Sequence, residues 1–562
     1  MDNQRIFVWA ALALVLFMNY QAWQRDYAPP PAPTVTESQS ATPQNAAPTD
    51  SLPQLPTENA TPAAQQPATP TPAPEQQPVE NAQSTAGVVR VSTDVLSVDI
   101  STRGGELTRA DLVKYALVKN HPEVPVRLFS GQPPIYVAQS GLLAADKRPE
   151  PNHRAIYHAA AAEYQLKAGE SQLVVPLTWS EGGITVTKTY TFHPGSYRID
   201  LSYDVVNTSP SDWKAASYVQ LVRHYEHLER SYFKVETYAY RGPAYSDGNG
   251  YHKLNVEKEE DRAFKKTITN GWVAALQHHF VAAAIPPAAE AYDYQLSLSP
   301  RNDFTLSYRG PLKTVPAGGT QTFKEELFVG PKLQEQLVAT APLLDHVTDY
   351  GWLTPIAWAL FKALEWVHKG VQNWGIAIIF VTFLIKLAFY KLTAASGRSM
   401  AKMRNVSPRI KAIQERYKDD REQLGRQMME LYKREKINPL AGCLPILIQI
   451  PFFFAFYRVL LESVEMRQAP FFGWINDLSS RDPFFILPLL MGAAMFAQFK
   501  LQPMPSTDPM QAKVFAFMPV VMSVTMAWFP SGLVLYWLTN TLLSIAQQWR
   551  INKLVAAEQN KT

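Results

Sequence analysis

The sequence predicts a polytopic α-helical membrane protein of six spans, carrying a large extracytoplasmic antiparallel β-sandwich and a cytoplasmic helical hairpin. Three observations predict it. Residues 371–392, VQNWGIAIIFVTFLIKLAFYKL, form a long apolar stretch that four further apolar runs follow. Residues 88–338 alternate apolar and polar side chains with a period of two. Between Lys386 and Lys436, 14 Lys and Arg stand against 6 Asp and Glu, a net charge of +8.

A helix rises about 1.5 Å per residue, so a hydrocarbon layer of roughly 30 Å takes about 20 apolar residues. The stretch 371–392 supplies them, with one interior cation, Lys386. Thr382 lies four residues earlier on the same helical face. Two readings of Lys386 stand on these residues: it joins Thr382 in a polar stripe facing a wet interior, or its stem snorkels to the surface near Lys391.

The bulk composition narrows the function classes. A chain of 562 residues that is 46% hydrophobic, with a mean hydropathy near zero, must be unequal along its length: membrane spans plus water-soluble segments. A net charge of +4 does not imply a nucleic-acid partner. The single cysteine, Cys443, excludes an internal disulfide framework and multi-cysteine metal sites, and reads as a packed small hydrophobe. His224, His227 and the pair His278 and His279 come without an HExxH motif or cysteine support, so they read as ordinary histidines and no metal is expected. No phosphate-binding G-x-x-x-x-G-K-[ST] motif occurs, which argues against ATP-driven work by this chain. Neither a cofactor nor an enzymatic activity is expected.

Taken in order, residues 1–27 read as an uncleaved signal-anchor span, because QAWQRDY after the apolar run lacks small residues at cleavage-site spacing. Residues 28–87, built from Pro, Ala, Thr, Gln, Ser and Asn, read as a disordered linker. Within the β-sandwich expected over 88–338, Ile184, Val186, Lys188, Tyr190 and Phe192 form one strand phase. His193 to Ser196 form a turn, and Tyr197, Ile199, Leu201, Tyr203 and Val205 the return strand. Residues 339–370 read as an interfacial amphipathic helix beginning at Leu343, with Trp352, Ile356, Leu360 and Leu364 at four-residue spacing and Trp352, Trp358 and Trp366 suited to the membrane interface.

After the second span, residues 393–436 read as a hairpin. Ser407 and Pro408 open one arm, Asp419 and Asp420 make the turn and Arg421 opens the other arm. Ile410, Ile413 and Tyr417 are expected to face Leu424, Met428 and Leu431; a solvated topogenic loop is the alternative. Residues 437–550 hold four more spans, over 444–461, 484–499, 514–529 and 533–546, and residues 551–562 form a tail. The basic hairpin belongs in the cytoplasm by the positive-inside rule, and the loop 462–483, with a net charge of −2, on the far side. Both termini are then cytoplasmic and the β domain is periplasmic in a cell with two membranes.

The runs INPLAGCLPILIQIPFFFAFYRVL (437–460), VEMRQAPFFGWINDLSSRDPFFILPLLMG (464–492), TDPMQAKVFAFMPVVM (507–522) and WFPSGLVLYWLTN (528–540) resemble the YidC membrane protein insertase family of Gram-negative bacteria, as does SMAKMRNVSPRIKAIQERYKDD. The resemblance is dense over about 350–550 and looser over the β domain and first span. It implies an inner-membrane insertase and chaperone with a five-helix core around a hydrophilic groove open to the cytoplasm and to lipid. The implied partners are nascent inner-membrane proteins, the SecYEG translocon with accessory Sec proteins, the ribosome and signal-recognition targeting factors, and the bilayer itself.

Residue by residue, the family's groove arginine falls at Lys386, which keeps the charge without the planar fork of donors. Thr382 matches a polar groove position. A family tyrosine falls at Trp537, with Tyr536 beside it. Gln449, Thr539, Asn540 and Gln547 are polar residues near the spans that would wet the groove or serve as interhelical hydrogen-bonding groups. Phe453, Phe454 and Met491 suit an apolar surface along which a substrate helix slides. The hairpin arms would meet substrates or targeting factors, and the short, mildly basic tail does not suggest ribosome binding. The competing reading is a solute transporter or channel whose outer domain captures ligand. That reading requires internal hydropathy repeats and a coupling-ion site, neither of which is evident.

Overall fold

The structure, a computed structural model, describes residues 87–119, 121–146, 148–227, 229, 239–417, 420–435, 444–501 and 509–559. The expected first span at 1–27, all but one residue of the 28–87 linker, and Cys443 lie outside the described residues. The chain divides into two compact units, Met1–Glu229 with Tyr240–Val347 and Arg230–Ala239 with Thr348–Thr562.

The first unit is a sandwich of an eleven-stranded and a nine-stranded sheet among the described residues. In the nine-stranded sheet, Leu173–Glu181, Ile184–Phe192, Arg198–Asn207 and Thr320–Pro331 are successive antiparallel neighbours. The eleven-stranded sheet centres on Tyr136–Ala144, Trp213–His224 and Asp303–Arg309. The strand Ile184–Phe192 alternates fully buried and half-buried side chains along its whole length, as its period-two pattern requires. Its register with the return strand pairs Phe192 with Ile199 and Tyr190 with Leu201. The expectation of an antiparallel sheet needs one amendment, since Val88–Ser92 pairs in parallel with Glu163–Gln165.

Buried polar groups tie the two sheets together. Tyr136 donates to the carbonyl of Ala275 at 2.9 Å, and Glu325 accepts from Ser217 at 2.6 Å and from Tyr308 at 2.7 Å. Lys188 is completely buried. Its ammonium donates to the carbonyls of Gly104 and Ser140 at 2.8 and 3.1 Å, and lies over the rings of Tyr157, Tyr190 and Tyr203 at 5.4–5.7 Å. These bonds satisfy groups whose unpaired burial would cost about 1–3 kcal/mol each. His224, one of the histidines weighed above, pairs with Asp303 at 2.9 Å.

The second unit is helical: α1 (Thr354–Val371), α2 (Trp374–Ala388), α3 (Tyr390–Arg416), α4 (Arg421–Arg434), α5 (Leu444–Glu462), α6 (Ile486–Leu501), α7 (Pro509–Met526) and α8 (Ser531–Gln559). Its core gathers Leu360, Phe361 and Leu364 of α1, Ala377, Ile378 and Val381 of α2, Phe456 and Val459 of α5, Met491 of α6, and Leu533 to Tyr536 of α8.

Several sequence expectations shift here. The amphipathic helix does not begin at Leu343. Leu343 and Gly351 adopt left-handed backbone, with φ of 62° and 70°, and the continuous helix starts only at Thr354, where Pro355 fits the first turn. Ile356, Leu360 and Leu364 face the core while Trp352, Trp358 and Trp366 are exposed. The stretch 371–392 is not one straight helix. Gln372 ends α1 in the left-handed region at φ 53°, and Asn373 caps α2 through its side chain, which accepts from Ile376 N–H at 3.1 Å. At Phe389 the path bends by 64° into α3; the Phe389 ring packs edge-on against Phe452.

Pro408 does not open a helix either, because α3 runs through it. The second arm follows expectation: Asp420 caps α4 by accepting from Gln423 N–H at 3.0 Å. The last span and the tail as far as Gln559 form one helix, α8, of 29 residues, about 43 Å long. Among the described residues no single helix is by itself long and apolar enough to cross a membrane, whereas α2 with the first turns of α3 is so as a bent pair.

Candidate substrate groove in the helical unit

The α2 and α8 helices run side by side in the same direction. At one end, the position where a side chain on Gly532 would start lies 3.5 Å from Ile378. Farther along, the Lys386 ammonium donates to Ser544 Oγ at 2.7 Å, and the Gln547 side chain donates to the Tyr390 carbonyl at 3.3 Å. Ser544 in turn donates to the Asn540 carbonyl at 2.7 Å.

Lys386 is only 9% exposed. The snorkel reading requires its head to leave the bundle, and the observed geometry holds it against α8 instead. Thr382, 1% exposed, donates to the Ile378 carbonyl one turn back at 2.6 Å. Its donor is therefore used within α2, although the oxygen keeps acceptor capacity on the face that carries Lys386.

On α8, Trp537, Asn540, Ser544 and Gln548 recur at helical spacing and form one stripe. Asn540 is half-buried and Thr539 and Thr541 are buried. Tyr536 and Trp537 belong to an aromatic layer rather than a polar one. Tyr536 stacks on Phe456 with centroids 4.5 Å apart, and Trp537 meets Phe453 edge-on at 4.7 Å. Gln449 is half-buried on α5.

Of the three residues expected to form a sliding surface, Phe454 is 49% exposed and Phe453 half-buried. Met491 is fully buried in the core of the unit, so it fills space between helices and presents no outer surface. On the hairpin, Ile410 and Leu431 pack with Met403 and Val406, flanked by Ile413, Met428 and Tyr432. Tyr417 and Leu424, expected at this seam, lie outside the cluster, and an Arg409–Glu435 ion pair at 2.8 Å spans the two arms.

Sequence reasoning missed Ser544. The signal was present, since Ser544 follows Asn540 by four residues on α8, but nothing local says which helix it faces.

Two family models divide the chain. One, described as "YidC periplasmic domain", matches residues 88–363, and the other, "60Kd inner membrane protein", matches residues 366–559. A protein named "Membrane protein insertase YidC" from Thioalkalivibrio sulfidiphilus is 44% identical over 98% of this chain and 98% of its own. The chain belongs to the YidC membrane protein insertase family. The YidC relative from Methylococcus capsulatus is 43% identical over 99% of each chain. A solved structure titled "Active YidC insertase crystal structure with the first transmembrane domain resolved" overlaps 82% of this chain and 94% of its own at 17% identity and a TM-score of 0.36. Membership rests on the sequence relationship, which runs through both units.

Proposed function

We propose that this chain is a membrane protein insertase and chaperone of the bacterial inner membrane, and that the α2–α8 contact around Lys386 is its groove. The buried cation carries the reading. Lys386 sits on the helical unit's polar stripe with Ser544 and Asn540 beside it, on the side of the bundle from which α3 and the basic hairpin continue.

A cation held below the membrane surface attracts the acidic polar tail of a substrate. The substrate's apolar segment then moves out along exposed side chains such as Phe454, and burial of that segment in lipid drives the transfer at roughly 25 cal/mol per Å² of apolar area. No nucleotide is consumed by the chain itself.

In this reading six spans place both termini in the cytoplasm, with the β domain in the periplasm and α3–α4 as a cytoplasmic arm. Its substrates are nascent inner-membrane proteins, received alone or with SecYEG and its accessory proteins, and delivered by ribosomes and targeting factors. The solute-transporter alternative draws no support from the relatives.

The test is depletion of the protein in its own cell, followed by pulse-labelling of a small two-span substrate. Protease protection of that substrate should be lost on depletion and restored by the wild-type gene. Unchanged insertion in depleted cells would overturn the proposal.

A further inference from the structure

The chain turns by 64° at Phe389 as α2 passes into α3. The new direction is held by α8, which continues past Ser544 to Gln559. The Gln547 side chain donates to the Tyr390 carbonyl at 3.3 Å. One turn on, Ala394 is buried against Ile551 and Val555, which are 2% and 8% exposed, with Tyr390 packed at the edge. These four side chains form an apolar cluster of their own, apart from the main core of the helical unit.

Tyr390, Ala394 and Gly397 recur at helical spacing on α3, as Gln547, Ile551 and Val555 do on α8. At Gly397 the two helices approach closely, since a Cβ there would stand 2.8 Å from Ile551 Cδ1 and 3.0 Å from Gln548 Oε1. Gln548 is itself buried, and its amide donates to Asn552 Oδ1 at 2.8 Å. Glycine is a poor helix former, and this contact accounts for one in the middle of α3. An alanine would need only the tip of Ile551 to give way, whereas a leucine must push the helices apart.

One helix, α8, therefore carries both the hydroxyl that holds Lys386 and the seat of α3. Ser544 and Ile551 stand about 10 Å apart along its axis. Because α3 is continuous from Tyr390 to Arg416, a tilt at its base reaches the far end undamped: over about 30 Å of helix, a tilt of about 10° moves the end by about 5 Å. We propose that Gly397 and Ile551 are positioning residues of the insertase, and that the seam between α3 and the end of α8 aims the hairpin arm so that it hands substrate to the groove at Lys386. The inference rests on the groove and arm readings above and adds which residues fix the direction of one against the other.

The experiment uses the full-length chain in phosphatidylethanolamine–phosphatidylglycerol liposomes. In a Cys443→Ser background, Met429→Cys on α4 and Lys553→Cys on α8, both at exposed positions, carry spin labels whose separation is read by double electron–electron resonance. Insertion of a purified two-span substrate over a range of concentrations gives the half-saturating concentration and the maximal rate. Leucine favours a helix more than glycine does, so a loss in Gly397→Leu comes from the seam. That variant should shift or broaden the label distance and raise half-saturation about fivefold, as the share of correctly aimed arms falls to about one fifth. Its maximal rate should stay within about twofold of wild type, because Lys386 is untouched. Adding Ile551→Ala makes room for the larger side chain, and the double variant should bring distance and half-saturation back to within about twofold of wild type.

A wild-type distance or a wild-type half-saturation in Gly397→Leu overturns the proposal. So does a loss confined to the maximal rate, which is what a merely structural seam would give. If Gly397→Leu does not accumulate as folded protein, Ile551→Ala alone decides: half-saturation should rise about twofold as the arm loosens, and an unchanged value overturns the proposal. Wild-type liposomes that insert no substrate would sink the insertase reading and leave the distance comparison intact.

Discussion

The Lys386 ammonium meets the Ser544 hydroxyl across the contact between α2 and α8, 158 positions apart in the chain, at 2.7 Å. The bond fixes where the cation stands, on the Asn540–Ser544 stripe and 9% exposed. It also makes Ser544 the partner on which the proposed groove depends, because a buried ammonium without a partner is costly.

Ser544→Val is therefore expected to lower the stability of the purified protein by about 1–3 kcal/mol, the cost of leaving a buried donor unpaired. Lys386→Met in the same background should recover much of that loss. Denaturant titration of the two single variants and the double variant checks the coupling; additive effects would show that the two side chains act independently.

In the β domain, two buried titratable groups set opposite pH slopes. Burial pushes the Glu325 carboxyl up to about 8 from its ordinary 4.5, with the bonds from Ser217 and Tyr308 pulling the other way. The folded form then holds a proton that the unfolded form releases, so stability falls as pH rises from about 4.5 to about 8. Burial likewise pushes Lys188 down to about 7 from 10.5, against the opposing pull of Glu106. The unfolded form binds the extra proton here, so stability climbs again between pH 7 and 10.5. Melting of the full-length chain should show Glu325→Gln flattening the fall and Lys188→Met flattening the climb. Unchanged profiles would mean that neither group titrates on unfolding.

The hairpin rests on packing rather than on its ion pair. Ile410→Ala should loosen α3 against α4 by about 2–4 kcal/mol, while Arg409→Ala, at an exposed pair with Glu435, should cost under about 1 kcal/mol. Hydrogen exchange over 421–434 reads both, and the reverse order would place the hairpin's stability in its charges.

Removal of the β domain should spare insertion, because the proposed groove lies in the helical unit. The structure sets the cut at 88–347 rather than earlier, since Leu337, Leu344 and Val347 are buried within the first unit. A truncated chain that folds, reaches the membrane and inserts nothing would overturn this division of labour.

Local pattern carried much of this. The period-two phase of Ile184, Val186, Lys188, Tyr190 and Phe192 places Lys188 on the inward face before any partner is known, and the structure finds it fully buried there. Apolar runs likewise mark α2, α5, α6, α7 and the start of α8. Long-range contacts were not legible. The bend at Phe389 has neither Pro nor Gly at its vertex, and Pro408, a strong local helix-start signal, lies inside α3, which runs on through it despite the missing N–H. Met491 reads as surface on an apolar helix because an apolar side chain suits lipid and core equally, and only packing separates the two. Ser544 needed the α2–α8 register.

The central claim is that a charge at position 386 receives the substrate's polar tail. Cells depleted of the protein and complemented with Lys386→Arg, Lys386→Ala or Lys386→Glu, scored by insertion of a small two-span substrate with an acidic translocated tail, test it most directly. The groove predicts near-wild-type insertion with Arg, a loss with Ala and the deepest loss with Glu. Equal insertion by all three, at equal protein levels, would contradict it.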